Sequence, residues 1–148
     1  MQEGRKMTLP FEKKVELLKA MGTKALENEI LAAIPAIASG EGNVDNKEAE
    51  VKYAKDALDL VAALIAGEIS AGVKVTVDER KRLVDVQMAT DPRAVEARTT
   101  MKGLESLLFA ARAELGAKRR EYQTKTRVLE LRAAQITFMA DAATQASP

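Results

Sequence analysis

At 148 residues the chain is long enough for one domain with a modest core, and 47% hydrophobic with 30% charged residues marks a folding sequence, not a disordered one. It contains no cysteine, histidine or tryptophan. This excludes disulfides, thiolate metal sites, Ser-His-Asp triads and the usual transition-metal ligands. Formal net charge is +1, far from the basic balance of a dedicated nucleic-acid binder.

Aromatics make up 3% of the chain: Phe11, Phe109, Phe138, Tyr53 and Tyr122. A core must therefore be built from Leu, Ile, Val, Met and many alanines, each burying little area, so the lone monomer is expected to be marginally stable and completed by partners. No apolar run reaches the roughly 18 residues needed to span a bilayer, and the first residues have no apolar stretch of the kind a signal peptide needs. The expected location is the cytoplasm, or an assembly built there, without membrane association. Charge is unevenly placed. Residues 41–70 carry seven carboxylates against three lysines, and residues 112–132 carry seven cations against three glutamates. An acidic and a basic segment of equal strength favour docking of one on the other, within a chain or between copies.

In chain order, residues 1–7 are expected as a flexible leader. The first helix is expected over 9–34, with Thr8 as N-cap, Pro10 in the first turn, and Phe11, Val15, Leu18, Met21, Ala25, Ile30, Leu31 and Ile34 at helical spacing. Gly22 reads as a glycine within that helix, and Pro35 as its end or a kink in it. Residues 39–46, with Gly40 and Gly42, read as an exposed, mobile loop. A second helix over 47–71 begins at Asn46 and is apolar nearly all round between Leu58 and Ile69, so it is expected to lie centrally. Thr76-Val-Asp-Glu79 has the pattern of a capping box and opens a short helix over 77–90. Asp91 and Pro92 are the N-cap and first residue of the next helix.

That last helix is expected over 92–143, followed by a flexible tail at 144–148. Leu108, Leu115, Tyr122, Leu129 and Ile136 fall every seventh residue, and the phase survives Gly116, which argues against a turn there. A straight helix of this span is about 75–80 Å long, whereas a compact domain of this size has a radius of gyration of about 15 Å. The helix is therefore expected to project and meet other subunits unless it breaks near Gly103. The companion row reads Leu104, Ala111, Lys118, Lys125, Arg132 and Met139, so the seam is half apolar and half basic in its middle.

No constellation carries catalysis. Gly22-Thr-Lys24 is not preceded by the strand and glycine-rich run of a phosphate-binding loop. The pairs Glu12/Glu16 and Asp56/Asp59 have the spacing to hold magnesium or calcium, but both stand among lysines and read as solvated faces laced with ion pairs. Neither cofactor nor metal nor small-molecule substrate is expected, and the chain is not expected to be an enzyme. Lys118, Arg119, Lys125 and Arg132 form a basic row able to meet phosphates. Glu114 and Glu121 stand four residues before Lys118 and Lys125, however, in the order that favours pairing within the helix.

The sequence thus predicts an all-α bundle of about four helices whose long C-terminal helix packs in a coiled-coil-like manner. The expected function is that of a structural, protein-binding subunit of a larger assembly, with a phage or viral particle as one context. Its expected partners are copies of itself or other protein subunits, and the contact residues would be Leu108, Leu115, Tyr122, Leu129 and Ile136. The alternative is a subunit of a nucleoprotein complex that contacts the nucleic-acid backbone through Lys118, Arg119, Lys125 and Arg132.

Overall fold

Heptad-spaced apolar residues, local caps and two helix-weakening residue types together shape the chain. The computed structural model describes Pro10, residues 12, 13 and 16, residues 22–72 and residues 74–145. These are all-helical and contain no strand: α1 is Thr23–Gly72, α2 is Val77–Thr90 and α3 is Pro92–Gln145. The expected leader at 1–7 and residues 146–148 lie outside the described residues, and α3 runs two residues beyond the expected end of its helix.

The N-terminal half differs from expectation in two ways. Gly22 adopts a left-handed backbone (φ 71°) and is a turn residue, not part of a helix over 9–34. Glycine takes this conformation at little steric cost, and the Leu26 amide donates to the Gly22 carbonyl as α1 begins. Of the segment before it, residues 12, 13 and 16 are helical, and the Lys13 amide donates to the Pro10 carbonyl at 3.0 Å.

The second correction is larger. Pro35 does not end a helix and residues 39–46 are not a loop; α1 passes unbroken through both as one 50-residue helix. The reason lies in which face each residue occupies. Pro35 is exposed, so its ring takes nothing from the packed side, and the loss is confined to one amide hydrogen bond and local crowding. Gly40 faces inward, where a β-carbon would come within 3.1 Å of Leu115 Cδ1. It is a point of close helix approach, not a turn. Val44, inside the expected loop, is buried.

Two compact units divide the chain. One comprises residues 1–39 and 116–148, the other Gly40–Leu115. In the second unit Val44, Val51, Ala54 and Ile65 are buried on α1 and Ala94, Leu108, Ala111 and Leu115 on α3. Ion pairs join Glu48 to Arg112, Lys55 to Glu105 and Glu68 to Arg93, so α3 runs antiparallel beside α1 in this unit. In the first unit Thr23, Ile136 and Ala140 are buried, and Ile30, Ile37, Tyr122 and Leu129 half-buried.

The α2 boundaries follow from local chemistry. The Thr76 hydroxyl accepts from the Glu79 amide while the Glu79 carboxylate accepts from the Thr76 amide, a complete capping box. Asp91 then serves both flanking helices. Its amide donates to the Gln87 carbonyl at the end of α2, and its carboxylate accepts from the Arg93 amide in the first turn of α3. α2 buries no residue fully; Val84 and Met88 are half-buried, and Leu83 and Val86 remain exposed.

Candidate interaction surfaces

In the second unit, the side of α1 that meets α3 is fixed by Val44, Val51, Ala54 and Ile65. A second apolar row runs beside it on the same helix. Tyr53, Ala57, Leu60 and Leu64 recur at alternating steps of four and three, and all are exposed, with 76%, 62% and 50% of Tyr53, Leu60 and Leu64 accessible. Such spacing keeps the row on one face. The expectation that the segment from Leu58 to Ile69 lies centrally is therefore corrected. Its inner half is packed by Ile65, and its outer half, with Leu60 and Leu64, is exposed. Two adjacent stripes of heptad spacing look, in sequence, like one helix that is apolar all round.

Electrostatics in this unit pin the junction of the three helices. Arg93 reaches Glu68 with two guanidinium nitrogens at 3.0 Å each, and Asp91 with Nε at 3.2 Å and a terminal nitrogen at 3.1 Å. The hydrogen bonds from Arg93 hold the Asp91 carboxyl down at about 2, against its burial, and lower that of Glu68. The Arg93 guanidinium is raised in turn, chiefly by its hydrogen bonds to Glu68 and then to Asp91. A bidentate guanidinium–carboxylate fork fixes orientation as well as charge. The arrangement positions α1 against the α2–α3 joint.

In the first unit, Lys125 is held between two carboxylates, Glu121 at 2.8 Å and Glu29 of α1 at 3.2 Å. The hydrogen bond to Glu121 and then that to Glu29 raise the Lys125 ammonium, and Glu121 is lowered by the same contact. On the outer side of α3 in this unit, Leu131, Ala134 and Phe138 are exposed, with Val128 half-buried one turn before Leu131.

The residues singled out in the sequence divide accordingly. Leu108, Leu115 and Ile136 are buried within the chain, and Tyr122 and Leu129 half-buried. Of the basic row, Lys118, Lys125 and Arg132 are half-buried and Arg119 is exposed. Lys118, Lys125 and Arg132 occupy the same helical row as the buried Ala111. Glu12, Glu16, Asp56 and Asp59 are exposed, and among the described residues no group of three or more potential metal ligands gathers. A shallow, open recess lined by Lys102, Glu105, Ser106 and Phe109 lacks convergent buried polar groups. No helix of the described residues is long and apolar enough to cross a membrane. The row from Tyr53 to Leu64 was missed by sequence reasoning; its own four-three spacing is the signal that would have found it.

Comparison with protein families, with characterised proteins and with solved structures finds no match to this chain.

Proposed function

We propose that the chain is a non-enzymatic structural subunit that works by packing its helices against other protein chains, copies of itself first among them. It would be a repeated component of a larger assembly of the kind that forms a phage or viral particle. One observation carries this reading: the outer row Tyr53, Ala57, Leu60 and Leu64 is as regular as an inner packing face, yet is exposed. Among the described residues fourteen large apolar side chains are exposed, against ten hydrophobic residues that are buried. Exposed apolar side chains scattered singly are ordinary on a soluble protein; an ordered row of them along one helix marks a place where another element packs.

In this reading Leu108, Leu115, Tyr122, Leu129 and Ile136 act through helix packing, with α1 as their first partner in a coiled-coil-like antiparallel pair. That pair presents the outer rows to neighbouring subunits. The nucleoprotein alternative draws less support, because Lys125 is already engaged by Glu29 and Glu121. A lysine so committed releases fewer counterions on meeting phosphate.

Absolute molar mass by light scattering, measured over a range of concentrations, tests the proposal. A mass that rises to a multiple of 16.0 kDa supports a self-associating subunit. A monomer at every concentration removes self-association and leaves packing on a different protein as the remaining form of the reading.

A further inference from the structure

Two separate apolar rows of this chain have complementary borders. On α1 the row Tyr53, Ala57, Leu60 and Leu64 is bordered by the exposed carboxylate Asp56, which has no ion-pair partner among the described residues, with Lys52 and Asp59 farther round the helix. On α3 the row Val128, Leu131 and Phe138 is bordered by Arg127, one turn before Leu131, exposed and likewise without a partner among the described residues. Tyr53 and Leu60 are seven residues apart, as are Leu131 and Phe138, so each pair repeats after two turns of helix.

Resting on the self-association reading above, we infer that the α1 row of one copy is the docking site for the α3 row of a second copy. Set side by side in parallel with Leu60 against Leu131, the two sequences bring Ala57 to Val128, Asp56 to Arg127 and Gly67 to Phe138. Leu60 and Ala57 then oppose apolar residues, Tyr53 and Leu64 meet the uncharged Thr124 and Gln135, Asp56 meets Arg127, and the Phe138 ring falls where the partner has no side chain. Nothing lies within 4 Å of the position a β-carbon would take at Gly67, so room for the Phe138 ring exists there. Two copies of the α1 row set in the same parallel register would bring Asp56 against Asp56 and Lys52 against Lys52, which is unfavourable. The contact joins two different surfaces of the same chain. It is heterologous, and a pair keeps a free α3 row on one copy and a free α1 row on the other, so association continues into a ring or a filament.

The test uses the full chain and its mass as a function of concentration, with helix content from circular dichroism as the check on folding. Leu60→Glu removes the α1 row and Phe138→Glu the α3 row. Each variant alone is expected to remain at 16.0 kDa, while an equimolar mixture, which retains one intact row of each kind, forms a species of twice that mass. Asp56→Arg and Arg127→Asp are each expected to weaken association about tenfold, and the double variant to recover it. Assembly by Leu60→Glu alone, a monomeric mixture, or a charge swap that fails to restore association overturns this docking while leaving self-association standing. A wild-type chain that is monomeric at every concentration overturns both, and assigns the rows to another partner.

Discussion

Gly40 of α1 lies so close to Leu115 of α3 that a β-carbon at position 40 would stand 3.1 Å from Leu115 Cδ1. Two residues further on, Gly42 has open space around it. The same residue type thus serves opposite purposes within one turn, and substitution separates them. Gly40→Val is expected to destabilise the fold by about 1–3 kcal/mol through overpacking. Gly42→Ala is expected to stabilise it by up to about 1 kcal/mol through helix propensity. Urea midpoints of the two variants, compared at constant slope, check this. Equal shifts would mean that Gly40 is not a packing position.

Pro35 is carried inside a helix whose inner face continues on both sides of it. A proline in a helix interior costs about 3 kcal/mol relative to alanine. Pro35→Ala is therefore expected to raise stability, by up to that amount, without changing helix content. Thermal unfolding followed by circular dichroism reads the gain directly. A loss of stability would show that the helix is adapted to the proline in a way that its exposed position does not suggest.

Asp91 gives a pH dependence with a definite sign. Its carboxyl titrates at about 2 when folded, held there mainly by the hydrogen bonds from Arg93, against an ordinary value near 4 in the unfolded chain. In that interval the unfolded state binds the proton more tightly, so stability falls as pH drops from about 4 towards 2 and is fully present above that window. Asp91→Asn is expected to flatten this part of the pH profile and to lower stability at neutral pH through the loss of the Arg93 pairing. Denaturation midpoints of both proteins between pH 2 and pH 6 make the comparison. Parallel profiles would rule out Asp91 as the source.

Ile65 and Leu60 share one helix and differ only in face: Ile65 is fully buried and Leu60 is 62% exposed. Ile65→Ala is expected to cost about 2–5 kcal/mol, whereas Leu60→Ala is expected to change monomer stability by less than about 0.5 kcal/mol. Measurement at low protein concentration keeps association out of the comparison. A large cost at position 60 under those conditions would mean that the outer row is covered within the chain.

What could be read in the sequence was local chemistry. Thr76 and Glu79 fix the start of α2, and Asp91 with Pro92 fixes its end and the start of α3, because capping depends on residues within one turn of each other. The intrinsic propensities of Pro35, Gly40 and Gly42 point away from the observed α1, because packing overrides propensity where an inner face is continuous. The contrary signal was present: Ile30, Ile37, Val44, Val51, Leu58 and Ile65 fall every seventh residue straight through the supposed loop. The same argument carried α3 correctly across Gly116. The heptad from Leu108 to Ile136 was legible as a packing face, but a sequence does not say which helix answers it. That depends on α1, whose single 50-residue span the proline and glycines conceal. The exposed row on α1 stayed hidden for a related reason, since two neighbouring stripes blur each other's period.

Asp91 is the whole connection between α2 and α3, and its backbone and side chain are both spent on terminating one helix and starting the other. The chain between α1 and α2 is different, with non-helical residues at Lys74 and Val75 ahead of the Thr76 cap. Tolerance of insertions is therefore lopsided. An extra residue between Lys74 and Val75 lengthens a tether, whereas one beside Asp91 must unwind the last turn of α2 or the first turn of α3. Lineages of this chain would accumulate length variation at the first connection and hold the second to a single residue.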